Sequence, residues 1–396
     1  MRGIKDQVAI IGMGCSKFGE RWDAGVDDLI IEAVYEAYAD ANIEPKDIQA
    51  AWLGTVFSGF TAISLTRPLQ LSYIPVTQVE NLCATGAEAL RAAAYAVAAG
   101  ACDMALAVGV EKLKDTGWTG LPAAPLGGSQ IGSAGEIPVP APPGFASLAN
   151  RYFHHYGIDP REGKKTIAQI AVKNHRNGNL APKAHFHREI TLEEALNAPV
   201  VCWPLGLYDC CGVSDGAAVA ILVPASKAKD YRRDPIYLKA AAISVGSRQG
   251  LITSDYDYVH FEENVRAARM AYQEAGIIVP LEELSIAEVH DCFTITEMVI
   301  YEDLGWCPRG QAKSYIEDGV FTREGKLPVN TDGGLKCFGH PLGASGLRMM
   351  YEVYQQLQGK AGARQVQNPR LGLTHNLGGS PGMAISSVQV AGNELG

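Results

Sequence analysis

Two short segments of the 396-residue chain carry the residue types that nucleophilic chemistry needs. Asn81-Leu82-Cys83-Ala84-Thr85-Gly86-Ala87-Glu88-Ala89-Leu90-Arg91 offers a thiol, and Gly339-His340-Pro341-Leu342-Gly343-Ala344-Ser345-Gly346-Leu347-Arg348 offers an imidazole. Gly86, Ala87, Leu90 and Arg91 align with Gly343, Ala344, Leu347 and Arg348 at one offset of 257 residues, which carries Cys83 onto His340. A duplicated fold that sets a thiol at one helix start and an imidazole at its twin brings a nucleophile to its base. Taken alone, a free cysteine is most often a small buried hydrophobe, and a lone histidine a core or capping residue. The shared offset lifts the pair above both. Cys83 precedes a helix that begins near Ala84, where the helix dipole and free N–H groups favour thiolate over thiol. This predicts a pKa below the ordinary value of about 8.5. At the twin start, Gly339 lets the backbone turn and Pro341 presets φ for an early helical position.

A second cluster, His290-Asp291-Cys292-Phe293, ends the apolar run Ile286–Val289. Strand ends of this kind face the ligand crevice of α/β sheets. There Cys292 can exchange a proton and His290 can donate to a developing oxyanion. Thr374-His375-Asn376-Leu377-Gly378-Gly379 reads as a glycine-rich turn before the last strand. Its N–H groups at Gly378 and Gly379 can form an oxyanion site. Two further patterns are set aside. Gly12-Met13-Gly14 has Lys17 where a dinucleotide fingerprint needs its third glycine. His185-Phe186-His187 lacks a companion at zinc-ligand spacing, and no Cys-x-x-Cys pair exists.

The elements that must position these residues alternate. Strands are predicted at Val8–Ile11, Ala51–Val56, Val76–Val79, Met104–Val110, Val219–Val223, Ile286–Val289 and Ile385–Val390. Helices are predicted at Asp27–Ala41, Thr85–Ala99, Val265–Ala275, Thr294–Leu304 and Ser345–Leu357. The pattern predicts helices packed on largely parallel sheets. Gly212–Ala218 resembles Gly378–Ala384, and Val8–Ile11 is weakly echoed by Ala240–Val245, so the repeat extends beyond the helix starts. Gly86 and Gly212 are 126 residues apart but Gly343 and Gly378 only 35, so the first half holds about 91 extra residues. They fall around Lys112–Leu205, which includes the Pro/Gly-rich run Gly117–Gly144. Long irregular segments within a compact domain are usually lids or binding loops.

Bulk properties narrow the function classes. The chain is 47% apolar, 19% charged and has a net charge of −9, which argues against nucleic acid as a partner. No apolar run is long enough to span a bilayer. Nine cysteines and no signal-like segment at Met1–Asp6 predict reduced thiols in a cytoplasm; Glu394-Leu395-Gly396 is not a peroxisomal address. Asn150–Glu189 holds eight Lys/Arg against three acids. This local excess fits either an anion-binding surface or a solvated helix face.

On Cys83, Gly339-His340-Pro341, the duplicated halves, the insertion and the final glycine-rich segment, the chain resembles the thiolase superfamily over essentially its full length. It is most similar to the sterol-carrier-protein-2 type and its bacterial and archaeal acetyl-CoA acetyltransferase-like relatives. The residues carrying that closer likeness are His290-Asp291-Cys292-Phe293, where many thiolases have Asn-Glu-Ala-Phe, and His375-Asn376-Leu377-Gly378. Asn376 stands where many thiolases carry a second catalytic cysteine in Cys-x-Gly, so the resemblance moves proton transfer to Cys292. The implied α/β fold has two duplicated βαβαβαββ halves in a five-layered α-β-α-β-α arrangement. Residues 1–111 and 206–228 would form the N-terminal half, 112–205 a loop-domain insertion binding CoA and substrate, and 229–396 the C-terminal half.

The implied reaction is thiolysis of a 3-oxoacyl-CoA, or the reverse Claisen condensation, through a Cys83 acyl-enzyme. His340 would be the base, Cys292 the proton donor and His290 a donor to an oxyanion. Gly378 and Gly379 would supply the second oxyanion site with the Cys83 N–H. His375, Asn376, Lys164, Lys165 and Arg176 are expected to bind substrate, the basic residues through the CoA phosphates. CoA is a substrate, and no metal or redox cofactor is implied. A homodimer and a small zinc-ribbon/OB-fold accessory subunit are the implied partners, with no nucleic acid and no membrane. Acetoacetyl-CoA is the default substrate, with a route into a hydroxymethylglutaryl-CoA synthase complex. Trp118, Phe145, Tyr152, Phe153 and Tyr156 raise the alternative of a bulky or aromatic acyl group such as 2-benzoylsuccinyl-CoA. Rival readings are a Claisen-type synthase of the same superfamily, a retro-aldolase and a non-catalytic acyl-CoA-binding subunit.

Overall fold

A computed structural model describes residues 3–59, 61–116, 141–247 and 256–396. Nine strands join in one sheet: β1 (Val8–Cys15), β2 (Ala50–Gly54), β3 (Val76–Val79), β4 (Ala105–Glu111), β5 (Gly216–Pro224), β6 (Ile236–Val245), β7 (Ile286–Glu288), β8 (Leu371–Ser380) and β9 (Met383–Gly392). Their order is β3-β2-β4-β5-β1-β6-β9-β8-β7. The order is one pattern used twice. If β1, β2, β4 and β5 correspond to β6, β7, β8 and β9, every neighbour relation is conserved between halves. The counterpart of β3 has shrunk to a single parallel bridge between Ala287 and Val329. The halves join through the short antiparallel pairing of Ala9 with Tyr237 and Ile10 with Ile236.

The main helices are α1 (Val26–Ala41), α2 (Thr85–Ala98), α3 (Ala141–His155), α4 (Pro160–Gly178), α5 (Glu262–Ala275), α6 (Thr294–Asp303) and α7 (Leu342–Leu357). Helix α1 covers the outer face of β1 and β5, and α5 the outer face of β6 and β9. Helices α2 and α7 pack on each other between the two half-sheets, which gives the five layers. Each helix type follows from its stripe. In α1, Leu29, Ile30, Ala33, Val34, Ala37 and Tyr38 are buried at helical spacing, and the helix ends at Asn42 in the left-handed region. The paired central helices are instead rich in small residues, because each has a helix on one side and a sheet on the other. A Cβ on Gly86 would stand 2.5 Å from the Gly343 carbonyl oxygen, and one on Gly343 2.5 Å from the Gly54 carbonyl oxygen. Only glycine permits that approach. No helix among the described residues is long and apolar enough to cross a membrane.

Three sequence expectations are corrected. The sheet is mixed, with only β2–β3, β2–β4 and β7–β8 parallel among its strand pairs. Antiparallel pairs arise where the chain returns through the insertion and through the β8–β9 hairpin. Thr374–Gly379 is not a turn but the interior of β8, paired with β9 from Leu371–Gly392 to Ser380–Met383. Neighbouring strands supply its backbone bonds, which outweighs the turn preference of two glycines. Where an irregular segment was expected, the described part of the insertion contributes the helices α3 and α4 and a short helix at Leu192–Asn197. Helix α4 begins properly, with the Asp159 carboxylate accepting from Arg161 N at 2.8 Å and Pro160 at its first position. Most of the Pro/Gly-rich run, with Trp118, lies outside the described residues.

Candidate active site

Cys83 lies on a tight turn between β3 and α2. Leu82 takes φ +52°, a left-handed conformation uncommon for a non-glycine residue. Thr85 braces it: its Oγ1 accepts from Asn81 N at 2.8 Å and donates to the Leu82 carbonyl at 2.6 Å. The turn is also pressed against β8, where a Cβ on Gly378 would lie 2.8 Å from Asn81 O and 3.1 Å from Cys83 N. Gly378 therefore provides room, and Gly379, at φ +95°, provides the donor. The backbone N–H groups of Gly379 and of Cys83 itself lie close enough to the Cys83 sulfur to favour its charged form.

The predicted drop in the Cys83 pKa is reversed. Burial pushes the thiol up to about 12, against the lowering effect of the two N–H bonds. The helix start is present, but low-dielectric surroundings disfavour the charge more than the turn favours it.

His340 begins the twin segment. Gly339 takes φ +77°, and His340 N donates to Gly212 O at 2.9 Å. Ser345 fixes the ring. Its hydroxyl donates its one proton to the Pro341 carbonyl at 2.9 Å, so it must accept from His340 Nδ1 at 2.8 Å. The neutral imidazole then carries its lone pair on Nε2, a buried atom with no protein partner. Burial, aided by the nearby Arg348 charge, brings the His340 pKa down to about 3. At neutral pH His340 is an unprotonated base. Arg348 itself is buried against Glu288 at 2.9 Å and Asp332 at 2.6 Å, with its guanidinium 4.8 Å from the Phe338 ring centre.

The His290–Phe293 segment completes the cluster. His290 meets His340 edge to face at 5.0 Å between ring centres. The Cys83 sulfur and one ring nitrogen each of His290 and His340 all lie within 4.8 Å of one another. Burial holds His290 well below the ordinary imidazole range and Cys292 well above the ordinary thiol range, so both are neutral. Cys292 Sγ is 3.6 Å from Thr296 Oγ1, and Cys211 N donates to the Cys292 carbonyl at 2.9 Å. Asp291 points away from the thiols and works on the other segment. Its carboxylate accepts from Leu335 N at 2.6 Å and Lys336 N at 3.1 Å, which ties down the turn leading to His340.

Several expected substrate-binding residues are placed elsewhere. Lys164 is buried in an ion pair with Asp209, and Arg176 pairs with Glu324 at 3.0 Å on the surface. Lys173, Lys183 and Arg188 of the same basic stretch also pair with acids, so most of its local excess is neutralised within the fold. Lys165 stays exposed on α4. His375 and Asn376 are wholly buried: His375 Nε2 lies 2.8 Å from Asn264 Oδ1 and Asn376 Nδ2 is 3.3 Å from Met349 Sδ. They sit inside β8, paired with Val388 and Ser387 of β9, so their side chains enter the helix layers. Tyr152 and Phe153 pack in the core against Glu302 and Gly163, and the half-buried Tyr156 packs against Gly310. Phe145 alone of the described aromatic set reaches the site, stacked at 4.6 Å on Phe293 beside Cys292.

Ser345, Asp291 and Arg348 had no assigned role in the sequence reading. A serine four residues after Pro341 at a helix start is a recognisable back-bonding position. The partners of Asp291 and Arg348 come from distant segments and leave no local trace.

Residues 8–226 match the family described as "Thiolase, N-terminal domain", and residues 244–390 match "Thiolase C-terminal domain-like". The chain is 38% identical over 383 residues to the acetyl-CoA acetyltransferase of Methanothermobacter thermautotrophicus, covering 95% of this chain and 97% of that one. It is 34% identical to sterol carrier protein 2 of Gallus gallus over 95% of this chain and 70% of that one. It is 32% identical to benzoylsuccinyl-CoA thiolase subunit BbsB of Thauera aromatica, over 95% and 96%. Among solved structures, the Ltp2-ChsH2(DUF35) aldolase superposes with a TM-score of 0.80 at 24% identity, over 99% of both chains, a likeness of fold. The duplicated fold, the facing thiol and imidazole, and these matches together establish that the chain belongs to the thiolase family.

Proposed function

We propose that the chain transfers acyl groups between carbon and CoA sulfur, with Cys83 as the acyl carrier. The observation that carries this is the convergence of Cys83, His340 and His290 within 4.8 Å, with the Gly379 backbone favouring charge on the sulfur. In the thiolysis direction, His340 Nε2 takes the Cys83 proton as the sulfur attacks the 3-keto carbon. The resulting oxyanion sits between the N–H groups of Cys83 and Gly379. Breaking the C2–C3 bond leaves the acyl group on Cys83 and an acyl-CoA enolate. His340, now protonated, and His290 face the enolate oxygen. Cys292 gives its proton to C2 and becomes a thiolate. That thiolate deprotonates incoming CoA, whose sulfur attacks the acyl-enzyme, and Cys83 recovers its proton from His340. Every proton is accounted for without a redox partner.

For the substrate we infer acetoacetyl-CoA over a bulky aromatic acyl-CoA. Support comes from the inward packing of Tyr152 and Phe153, and from the Phe145–Phe293 stack that fills the space beside Cys292. A homodimer is supported by the outer edge of β3, whose Thr77 and Gln78 are exposed, next to exposed Ile63 and Tyr73. An accessory zinc-ribbon/OB-fold subunit is supported by the ChsH2(DUF35) chain in the structural relative. The decisive experiment is mass spectrometry after mixing the protein with acetoacetyl-CoA without free CoA. One acetyl group should appear on Cys83 and none on the Cys83→Ala variant. Thiolysis surviving in Cys83→Ala would overturn the mechanism, and faster turnover of aromatic 3-oxoacyl-CoAs would overturn the substrate assignment.

A further inference from the structure

We infer that Cys83, His290 and His340 form an inhibitory binding site for a soft divalent cation of the zinc class, whose occupancy excludes acylation. The ion would be a ligand of the resting enzyme, not a cofactor. It would claim the lone pairs that the acyl-transfer chemistry uses.

Ligand chemistry points to this class of ion. A thiolate with two imidazoles suits zinc and its congeners and leaves a fourth tetrahedral position open. Zn–S near 2.3 Å and Zn–N near 2.05 Å place ligand atoms roughly 3.3–3.6 Å apart at tetrahedral angles. The three atoms here already lie within 4.8 Å of one another, so closure needs movement of only about an ångström. Among the described residues this is the single such cluster of three.

The lone pairs are free. His340 Nε2 and His290 Nδ1 are both buried without a protein partner. Leaving such an atom unsatisfied is unfavourable, which a ligand would offset. His340 has the outer partner typical of metal-binding histidines, since its Nδ1–H is held by Ser345 Oγ at 2.8 Å. On binding, the Cys83 S–H bond breaks, a sulfur–metal bond forms, and one proton leaves to buffer. The surrounding charges tolerate the cation. The Arg348 charge that acts on both histidines is compensated by Glu288 and Asp332. The Glu111 carboxylate is close enough to act on Cys83.

The test uses the full chain, freed of adventitious metal by dialysis against a chelator and titrated with Cd2+. One ion per chain should bind with a thiolate-to-cadmium charge-transfer absorbance and the release of one proton. Zn2+ should displace it and remove the band. Cys83→Ser, a near-isosteric change that keeps the turn, should lose the band; His340→Ala and His290→Ala should weaken binding severely. Ser345→Ala, which removes only the outer partner, should weaken it about tenfold. An unchanged band and stoichiometry in Cys83→Ser, or no stoichiometric uptake by the native chain, would overturn the inference. The readout involves no turnover. Cadmium on Cys83 without an acetyl-enzyme would refute the acyl-transfer reading alone, and an acetyl-enzyme without cadmium uptake would refute the metal site alone.

Discussion

Burial moves Cys83 and His340 in opposite directions: the thiol up to about 12, the imidazole down to about 3. Between those values both are neutral, so the free enzyme holds a thiol facing a lone pair, not a thiolate–imidazolium pair. In the proposed mechanism the ion pair forms only as charge passes on to a substrate oxygen. This differs from the resting thiolate expected from the helix start, and it has a measurable consequence. Below its pKa the thiolate fraction rises about tenfold per pH unit. Alkylation of Cys83 by iodoacetamide in the free enzyme should therefore climb steadily from pH 7 to pH 9, with no plateau. A plateau beginning near pH 7 would mean that a resting ion pair exists. That Cys83 and His340 come together was legible in the sequence, because duplication gave each a marked position. The state of their protons was not, because it depends on burial by segments far away. The duplicates have also diverged: Arg348 is buried against Glu288 and Asp332, whereas its mate Arg91 pairs at 2.8 Å with Glu88 on a partly exposed helix face.

The elements hold these side chains through close approach and a few polar ties. Helices α2 and α7 can touch because Gly86 and Gly343 have no side chains at the crossing. Gly343→Ala would push a Cβ into the Gly54 and Val110 carbonyls, both backbone atoms that cannot swing aside. It should destabilise the fold by about 1–3 kcal/mol, read as a lower midpoint in urea. It should also lower kcat, because the helix that carries His340 must shift. The Asp291 clamp can be tested separately. Asp291→Ala leaves the buried N–H groups of Leu335 and Lys336 without their acceptor, at about 1–3 kcal/mol each. Asp291→Asn keeps one acceptor oxygen and should recover most of the stability and part of kcat. Equal loss in both variants would show that the charge, not the tie, matters. The element boundaries were largely readable: helix Thr85–Ala99 is Thr85–Ala98, and strand Val76–Val79 is unchanged. Strand β8 was missed because glycines at 378 and 379 look like a turn. Their purpose is to let β8 pass against the Cys83 turn, a contact between positions about 300 apart in the chain. The neutralised basic stretch was misread for a similar reason, since Glu297 and Glu324 approach it from the other half.

At the scale of the whole molecule, folding encloses titratable groups of both kinds, and their effects on stability oppose each other. His290, His340 and His375 are all held below the ordinary imidazole value of about 6.5 by burial. As pH falls through 6.5 the unfolded chain takes up protons that the folded chain refuses, so each histidine withdraws stability on acidification. Asp291 and Asp303 behave in the reverse sense. Burial raises them to about 7 and about 6, so the folded chain binds their protons first and gains stability over the same range. A simple acid titration of the native protein would therefore show a partial cancellation. A substitution isolates one side of it. His375 is wholly buried, bonded to Asn264, and takes no part in the proposed chemistry. In His375→Gln the carboxylate contributions remain and subtract out, while the histidine contribution is gone. Relative to the native protein, the variant should gain about 2 kcal/mol between pH 7 and pH 5, since the unfolded histidine titrates fully and the folded one does not. Urea unfolding of both proteins at several pH values measures this difference directly. If it stays constant, His375 takes up its proton in the folded state, and the polar layer between β8 and α5 is open to water.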